Sequence, residues 1–231
     1  MQFRVIWDQP EPCPYLPTET ARLPLRAPPR ALTPSQLDEQ LAAGDRRSGR
    51  LLYRTACPSC SACEPLRVDI ERFAPSKSQR RVWRRNAGDV AITIGTPKVD
   101  RERVELFNRH KLERGLSRSG EALSDQAYRQ WLVDTCCTTL EVGFRLGERL
   151  VAVSILDLGQ ASASSVYHYF DPAESDRSLG VFSALAEMAF LRDRGVRWYY
   201  LGLYVRDCDR LNYKADYRPH ERLVAGQWVP G

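Results

Sequence analysis

The amino-acid sequence predicts an α+β fold in which a mixed β-sheet is flanked by helices. From about residue 90 onward, strand-like and helix-like segments follow in the order β, α, α, β, β, β, α, β, α, β. Alternating apolar and polar residues at 140–146 and 150–158 predict an antiparallel hairpin. The apolar run at 196–205 predicts a buried strand, which we expect to lie beside a strand at 164–170. Helices between such strands favour a mixed sheet with helices packed on it.

The composition is that of an ordinary globular protein. The chain has 231 residues, of which 43% are apolar and 27% charged, and its formal net charge is +5. This balance allows a sizeable core and is compatible with a nucleic-acid partner. No run approaches the ~18 apolar residues of a membrane span, and the first residues lack the apolar core of a signal peptide. We therefore expect a cytoplasmic protein with no membrane partner, whose cysteines are reduced or bound to metal.

Residues 1–75 are predicted to form a cysteine-bearing N-terminal region that precedes a larger domain at 76–231. Eight of the fifteen prolines lie at 8–34, which predicts an extended and irregular segment. Thr33 and Pro34 then have the residue types of a helix N-cap and of the first helical position.

The sharpest local motif is a group of three cysteines at two-residue spacing, Cys57, Cys60 and Cys63. Such spacing can place thiolates around one ion, and Cys13 is a candidate fourth ligand. Four thiolates suit tetrahedral Zn²⁺ or an iron–sulfur cluster. The alternative is that these cysteines are free thiols with nothing bound.

A strongly basic helix is predicted at 77–85, where cations recur at i, i+4 spacing and acidic residues are absent. An ordinary solvated helix face mixes the two signs of charge. The pattern therefore favours contact with nucleic-acid phosphates through Arg80, Arg81 and Arg84. Trp83 on the same helix offers a stacking surface.

A strand at 164–170 is followed by a loop and by a helix that runs to about Arg194. The first turn of such a helix presents free N–H groups and a positive dipole end, which together suit an anion. Gly180 permits close approach to the backbone, and Arg177 adds charge beside Ser178. The alternative is an ordinary helix start with no ligand.

Four residues that follow the strand at 196–205 are further candidates: Tyr204, Tyr213, Lys214 and Arg218. Ligands gather where strand ends and loops meet in an open sheet. Lys214 and Arg218 could hold a carboxylate, or could form an ordinary polar helix end. His168 lies inside the predicted central strand, where we expect a satisfied core histidine and not a catalytic base.

These segments together resemble the bacterial aspartate/glutamate leucyltransferase family, which is related to eukaryotic arginyl-tRNA–protein transferase. The matching segments run in order along most of the chain: 13–17, 53–58 with Cys60 and Cys63, 65–68, 75–86, 165–167 with Asp171-Pro172, 177–180, 200–202, and Cys208 with 212–214 and 218–219. Three departures are Lys77 in place of the usual arginine, Leu203-Tyr204 in place of the usual Tyr-Trp, and Leu16 where the eukaryotic relatives have a second cysteine.

The resemblance implies a GNAT-like transferase domain behind a cysteine-bearing N-terminal region. It implies transfer of an aminoacyl group, which is leucine in the bacterial members of this type, from aminoacyl-tRNA to the N-terminus of a protein that begins with Asp or Glu. Proteins marked in this way would be degraded by the N-end rule. No cofactor is required for this chemistry, and a zinc ion or iron–sulfur cluster at the four cysteines is an added expectation.

The resemblance also implies a role for each candidate residue. The donor tRNA is expected to contact Arg80, Arg81, Arg84, Asn86, Arg177, Ser178 and Gly180. Lys214 or Arg218 is expected to read the acidic acceptor side chain, and Tyr204 and Tyr213 to orient the ester. An acceptor α-amine has a pKa of about 7.7–8.0 and is partly neutral at cellular pH, so no strong buried base is expected.

Two other functions are compatible with the same residues. An acyl-CoA N-acetyltransferase could use the same helix start for pyrophosphate, but it would leave the basic helix unexplained. A non-catalytic RNA-binding protein with a zinc knuckle would use that helix and the cysteines. The donor amino acid, leucine or arginine, is left open, because no charge in the chain points clearly at the donor side chain.

Overall fold

The computed structural model describes residues 2–117 and 119–231. The N-terminal part contains short strands in two small sheets and one helix. Its elements are β1 (Arg4–Trp7), β2 (Pro10–Pro12), β3 (Thr20–Arg22), β4 (Leu25–Ala27), α1 (Pro34–Ala42), β5 (Arg46–Ser48) and β6 (Leu51–Tyr53). One small sheet has the order β1-β4-β6-β5, and β2 pairs with β3 in the other.

The rest of the described chain builds one large mixed sheet with helices on both faces. Its strands are β7 (Glu64–Asp69), β8 (Val90–Gly95), β9 (Thr139–Leu146), β10 (Arg149–Leu158), β11 (Ser162–Phe170), β12 (Trp198–Tyr204), β13 (His220–Val224) and β14 (Gln227–Pro230). Its helices are α2 (Lys77–Asn86), α3 (Arg101–Glu113), α4 (Asp125–Tyr128), α5 (Leu179–Arg192) and α6 (Asp209–Asn212). The strand order is β14-β13-β7-β12-β11-β10-β9-β8.

The predicted helix starts depend on local capping. Thr33 accepts a hydrogen bond from the Gln36 backbone N–H at 3.3 Å, and the Gln36 side chain accepts one from the Thr33 N–H at 3.1 Å. Ser76 and Gln79 form the same reciprocal pair at the start of α2. Each box satisfies two N–H groups that the first helical turn leaves free, so both helices begin where the sequence predicts.

The predicted element order after residue 90 is confirmed up to β13, with two local differences. The second helix of that order ends at Tyr128 and continues as a π-helical turn, Arg129–Val133. In place of the single last strand of that order, the structure has a hairpin of β13 and β14. Ala225 and Gly226 both have positive φ there, 48° and 80°, as a two-residue hairpin turn requires. Alanine rarely adopts such a φ, which is why the turn is hard to recognise in the sequence.

The core forms two apolar layers, one on each face of the large sheet. On one face α5 packs through Phe182, Leu185 and Met188 against β7, β10 and β12. On the other face Phe107 of α3 packs edge-to-face against Tyr128 and Tyr169. Because side chains alternate along a strand, β11 sends Tyr169 toward α3 and His168 toward α5. In the described parts of the chain, no helix is long and apolar enough to span a membrane.

Strands β11 and β12 lie side by side, as predicted, and their pairing is parallel but short. The ladder joins Ser162–Ser164 to Trp198–Tyr200, and both strands then continue, to Phe170 and Tyr204, without pairing to each other. We call the opening between their C-terminal halves the split. It is the interruption in the large sheet where a ligand can approach between two strands.

Strand β7 lies inside the large sheet although it precedes the predicted boundary at residue 75. It is antiparallel to β12 on one side and to β13 on the other. The predicted division into 1–75 and 76–231 therefore does not follow the edge of the sheet. Backbone pairing between residues far apart in the chain sets this position, and the local sequence pattern does not contain it.

Candidate active site at the split

The loop between β11 and α5 is held by a buried carboxylate. Asp171 accepts hydrogen bonds from Arg109 at 3.0 Å and Arg149 at 2.8 Å, and it caps the Ala173 N–H at 3.1 Å. Arg149 also contacts Glu174. A carboxylate with this many partners fixes the chain that follows, so the start of α5 has a defined place beside the split.

The first turn of α5, residues 179–182, is open to ligands. Ser178 has φ 54° and ψ 49°, a left-handed conformation, and its carbonyl accepts from the N–H groups of Val181 and Phe182. Its side chain does not cap the helix. Gly180 is exposed. A Cβ placed on Gly180 would lie 3.6 Å from His168 Cδ2 and 3.8 Å from His168 Nε2. The predicted role of this turn as an anion site stays a prediction.

Two residues predicted to contact the donor tRNA have structural partners instead. Asn86 is fully buried, and its amide donates to the carbonyls of Val82 and Arg177, each at 2.9 Å. Arg177 pairs with Asp89 at 2.8 Å and with Glu174 at 3.0 Å. Direct tRNA contact by Asn86 is excluded by its burial. Both residues instead tie α2 to the loop before α5.

A chain of hydrogen bonds runs through the core beneath this turn. His168 Nδ1 lies 2.8 Å from Ser154 Oγ, and Ser154 Oγ lies 2.6 Å from Ser183 Oγ. Ser183 donates to Glu187 Oε1 at 2.7 Å, and Tyr199 donates to Glu187 Oε2 at 2.6 Å. His168 Nε2 is buried without a hydrogen-bond partner in the described residues. The expectation of a satisfied core histidine is therefore wrong for this nitrogen.

Burial dominates the proton affinities along this chain. Burial, followed by the charges of His110 and Arg114, lowers the pKa of His168 to about 3. It raises the pKa of Glu187, although the hydroxyls of Tyr199 and Ser183 oppose that shift. Because a low dielectric penalises the charged form of each group, the imidazole stays neutral and the carboxylate is a stronger base than usual.

Arg46 of the N-terminal part inserts into the split. Its Nη2 donates to the carbonyl of Ser165 at 2.9 Å, the first residue of β11 beyond the paired segment. A Cβ on Gly202 of β12 would lie 2.8 Å from Arg46 Nη1, so only glycine leaves room for this guanidinium. Gly202 also has φ +100°, a conformation that glycine adopts without strain. The N-terminal part thus contributes a cation to the candidate site.

A second cation reaches the split from α3. Arg114 is exposed, its Cζ lies 4.9 Å from the ring centroid of Phe170, and its Nη1 lies 3.4 Å from His110 Nε2. The charge of Arg114 lowers the pKa values of Tyr167, His168 and Tyr213. Burial acts in the same direction on His168, whereas it raises the pKa values of the two tyrosines by a larger amount. Arg114 is therefore the exposed cation that stands among the aromatic residues of the site.

Lys214 and Arg218, the two residues predicted to bind the acidic side chain of the acceptor, are not free cations at the split. Lys214 is buried, with 8% of its surface exposed, and its Nζ donates to the Leu203 carbonyl at 2.7 Å. Burial, and next the charge of Arg46, lowers the pKa of Lys214 to about 7. Because the Lys214 Nζ already donates to a backbone carbonyl and its pKa is lowered, Lys214 is poorly suited to bind the carboxylate of an acceptor.

Arg218 lies at the opposite end of the sheet. The neighbouring Pro219 carbonyl accepts from the N–H of Asp69, and Asp69 pairs with Trp198, the first residue of β12. The split begins beyond Tyr200, where the pairing of β11 with β12 ends. The acceptor role of Arg218 stays a prediction, which this position does not support.

The two predicted tyrosines are found near the split, where their roles stay predictions. Tyr204 is the last residue of β12, and the guanidinium of Arg222 stacks over its ring at 5.2 Å. The Tyr213 side chain is 47% exposed and is influenced by Arg114. The Tyr204 ring therefore lies beside a residue of β13, and Tyr213 lies within the electrostatic influence of Arg114.

Helix α2 presents the predicted basic surface. Arg80, Arg81 and Arg84 are exposed. Trp83 packs against Phe182 of α5, with ring centroids 5.4 Å apart. A cavity of about 340 Å³ lies between α2 and α5. Its lining combines apolar side chains with a cationic rim: Phe73, Pro75, Trp83, Leu185, Met188 and Ala189, with Arg80, Arg84 and Arg192.

The four cysteines of the predicted metal site approach one another near the end of β12. Burial, followed by the charges of Cys13, Cys57 and Cys60, raises the pKa of the Cys63 thiol to about 12. Among the described residues, no group of three or more His, Cys, Asp or Glu side chains is arranged to hold a metal ion. The zinc or iron–sulfur site stays a prediction, and no chemical step is assigned to a metal.

Comparison with known proteins identifies the family. A model of the N terminus of arginine-tRNA-protein transferase matches residues 11–81, and a model of its C terminus matches residues 102–224. The chain belongs to this family. It is 38% identical to an aspartate/glutamate leucyltransferase of Aeromonas hydrophila, over 94% of this chain and 90% of that protein. It is 35% identical to one of Pseudomonas putida, over 96% and 94%. The predicted family is therefore confirmed.

The fold has a counterpart among solved structures. The C-terminal domain of a putative lysylphosphatidylglycerol synthetase from Agrobacterium fabrum superposes with a TM-score of 0.55 at 16% identity, over 87% of this chain and 65% of that one. This likeness concerns the fold alone. The predicted class, a GNAT-like mixed sheet flanked by helices, is confirmed.

Sequence reasoning missed Arg46, Ser154, Ser183 and Glu187 as parts of this site. Arg46 lies in a short strand far from the split in sequence. Ser183 and Glu187 are spaced i, i+4 on α5, which places them on one helix face. That spacing of polar residues inside an apolar helix was the one signal in the sequence that could have revealed the buried chain.

Proposed function

We propose that the protein transfers a leucyl group from leucyl-tRNA to the N-terminal α-amine of proteins that begin with Asp or Glu. The observation that carries this proposal is the open first turn of α5 beside a split that holds two cations, in a chain of this family. Transferred proteins would then enter degradation by the N-end rule, in the cytoplasm.

The donor end of the proposed site combines two kinds of contact. The free N–H groups at the start of α5 suit the phosphate or carbonyl oxygens at the 3′ end of the tRNA. The exposed arginines Arg80, Arg81 and Arg84 of α2 suit the backbone phosphates further along the acceptor stem. Both surfaces are joined through Asn86 and Arg177, so they keep a fixed relation to each other.

The acceptor end is assigned to Arg114. It is the exposed guanidinium beside Tyr167 and Tyr213, and it can hold an Asp or Glu side chain in a two-pronged contact. Arg46 is already engaged with the Ser165 carbonyl and positions the split. Much of the rate would come from holding amine and ester together, which can contribute about 7–11 kcal/mol.

The deciding experiment is a transfer assay with purified protein. Radiolabelled leucyl-tRNA and arginyl-tRNA are each offered with peptides that begin with Asp, Glu or Ala. We expect label to move from leucyl-tRNA to the Asp and Glu peptides. No transfer to any peptide would refute the enzyme, and transfer from arginyl-tRNA alone would refute leucine as the donor group.

The metal proposal needs its own measurement. If Cys13, Cys57, Cys60 and Cys63 bind zinc or iron, the purified protein should contain about one zinc ion or one cluster per chain, and a Cys57→Ser variant should contain less. Metal analysis and the absorbance spectrum distinguish the two ligands from free thiols.

A further inference from the structure

The buried hydrogen-bond chain beneath α5 has a direction that its donors and acceptors determine. A serine hydroxyl has one hydrogen, and an ionised carboxylate only accepts. Ser183 donates to Glu187, so its oxygen must accept from Ser154. Ser154 has then used its hydrogen and can only accept from His168 Nδ1–H. With Glu187 ionised, the Nδ1-protonated tautomer follows and Nε2 carries a lone pair.

Protonation of Glu187 reverses every link of the chain. A protonated Oε1 donates to Ser183, Ser183 to Ser154, and Ser154 to Nδ1 of His168, which leaves the ring hydrogen on Nε2. The two states differ by one proton, which enters at Nε2 and is stored on Glu187. The imidazole is neutral in both. Its very low tendency to become a cation is therefore no obstacle to proton uptake.

The Nε2 atom of His168 lies next to Gly180, at the exposed first turn of α5. Leaving out the two chain neighbours of Gly180 and the backbone of its own helix, the Cδ2 and Nε2 atoms of His168 are the described atoms within 4 Å of a Cβ on Gly180. Gly180 itself is exposed, and it has no side chain to fill that position. A substrate atom at that position would lie 3.8 Å from Nε2, an acceptor nitrogen that has no hydrogen-bond partner in the described residues.

We propose that His168 is a catalytic residue that accepts the proton of the attacking amine, and that Ser154 and Ser183 relay a proton to Glu187. This inference rests on the proposed function and supplies the base that the sequence does not predict. Ser154, Ser183 and Glu187 are positioning and relay residues, since they act through His168. Their arrangement also explains why polar groups occupy the core between β10 and α5.

The groups of this relay account for every proton that moves in the reaction. An N–H bond of the amine breaks and an N–H bond forms at Nε2. At the same time the Nδ1 hydrogen moves to Ser154, the Ser154 hydrogen moves to Ser183, and the Ser183 hydrogen moves to Glu187. The nitrogen pair attacks the ester carbonyl, and the ester C–O bond breaks. The leaving ribose hydroxyl takes its proton from Nε2 as the relay runs backward. The amide is formed and Glu187 is ionised again.

The electrostatic surroundings favour this use. His168 faces His110 and Arg114 from α3, which disfavour an imidazolium. Glu187 faces the hydroxyls of Ser183 and Tyr199, and Tyr217 lies near enough to be influenced by its charge. Burial raises the pKa of Glu187, so its carboxylate holds a proton more readily than an exposed one.

The kinetic test uses the full chain in single-turnover leucyl transfer to an Asp peptide. Ser183→Ala should lower the rate at pH 7 by about 10²-fold, within the range of general-base catalysis, with unchanged affinity for the tRNA. The deficit should shrink toward pH 9, where the acceptor amine, with a pKa of about 7.7–8.0, is already neutral. Ser164 is a buried serine of β11 that does not belong to the hydrogen-bond chain between His168 and Glu187. Ser164→Ala is therefore the matched control and should keep the wild-type rate.

Two measurements separate the relay from a structural role. In mixtures of H₂O and D₂O, several protons in flight should give a curved dependence of the wild-type rate on deuterium content, and Ser183→Ala should give a straight one. Nitrogen NMR of the unmodified protein should find the His168 hydrogen on Nδ1, a result that needs no variant to fold.

The possible failures are distinct. An Nε2–H tautomer at neutral pH, or a Ser183→Ala enzyme with the wild-type rate, would overturn the relay while wild-type transfer still supports the function. A wild-type protein that transfers no leucine would overturn the function itself.

Discussion

Helix α2 and the split carry their polar groups in opposite ways. On α2 the cations Arg80, Arg81 and Arg84 are exposed and act side by side. At the split, Glu187 and Ser183 are buried, and each has a named partner within 2.7 Å. Exposed charges share a task, so the loss of one is partly compensated, and salt screens them. Buried groups act in series, so the loss of one interrupts the whole arrangement.

The strongest test of this difference is Gly180→Ala. The new methyl group would lie 3.6 Å from His168, an ordinary contact, so the fold should tolerate it. Helix propensity should raise stability by up to about 1 kcal/mol. The methyl also fills the space beside Nε2, and we expect leucyl transfer to fall by about 10²-fold, as for a misplaced reacting group. Thermal melting and single-turnover rates measure the two effects.

Gly88→Ala is the matched control for that change. A Cβ on Gly88 would meet nothing within 4 Å, and the residue follows α2 on the surface. Its transfer rate should match that of the wild type. An unchanged rate in Gly180→Ala would show that the first turn of α5 is not where the reacting groups meet.

The next largest effect should come from Arg114→Ala at the rim of the split. Loss of a charge-assisted contact of about 1.5–3 kcal/mol should reduce the preference for Asp over Ala peptides by about 10- to 100-fold. Competition between the two peptides measures this ratio directly. Arg101→Ala, at the other end of the same helix and paired with Glu105, should leave the ratio unchanged. A retained preference in Arg114→Ala would remove this residue from the acceptor site.

On α2, single substitutions should have small and salt-dependent effects. Arg84→Ala should weaken tRNA binding a few-fold and reduce the slope of log affinity against log salt by about 1, as for one lost phosphate contact. The transfer rate with saturating tRNA should not change. Arg129→Ala provides an exposed arginine elsewhere on the surface as a control. If both variants bind alike at every salt concentration, α2 is not the phosphate-binding surface.

The smallest expected effect concerns stability at the buried carboxylate. Burial raises the pKa of Glu187 in the folded state above its unfolded value, so the folded protein loses stability as pH rises through that interval. Glu187→Gln cannot ionise and should melt at a higher temperature than the wild type at pH 8, with the difference shrinking toward pH 4. Glu105→Gln, on the surface, should show no such trend. An equal melting temperature at pH 8 would indicate that Glu187 is not ionised there.

Much of the fold could be predicted because its signals are local. The capping pairs at Thr33 and Ser76, the hairpin of β9 and β10, and the exposed Gly180 at a helix start each depend on neighbouring residues. The position of β7 between β12 and β13 depends on pairing across more than 100 residues of chain, and no local pattern encodes it.

The candidate site was harder to predict than the fold. Arg218 follows Tyr213 closely in sequence, but it lies just before β13, where His220 pairs with Val68 of β7, and Val68 in turn pairs with Tyr199 near the start of β12. His168 has the sequence environment of a core residue. Its partner Ser154 lies directly opposite on β10, and its bare Nε2 becomes evident only when α5 is in place. The burial of a side chain and its hydrogen-bond partners are properties of the folded structure, so charge and spacing alone do not reveal that Lys214 is buried or that Arg46 lies at the split.

The central place of β7 has a consequence for how the protein can be divided. A fragment that starts at residue 76 would expose the hydrogen-bonding edges of β12 and β13 to each other across a missing strand, and it would lack Arg46 between β11 and β12. Such a fragment should aggregate when expressed alone. Supplying residues 1–75 as a separate polypeptide during refolding should restore solubility, because the transferase core is completed by a strand that the N-terminal region donates.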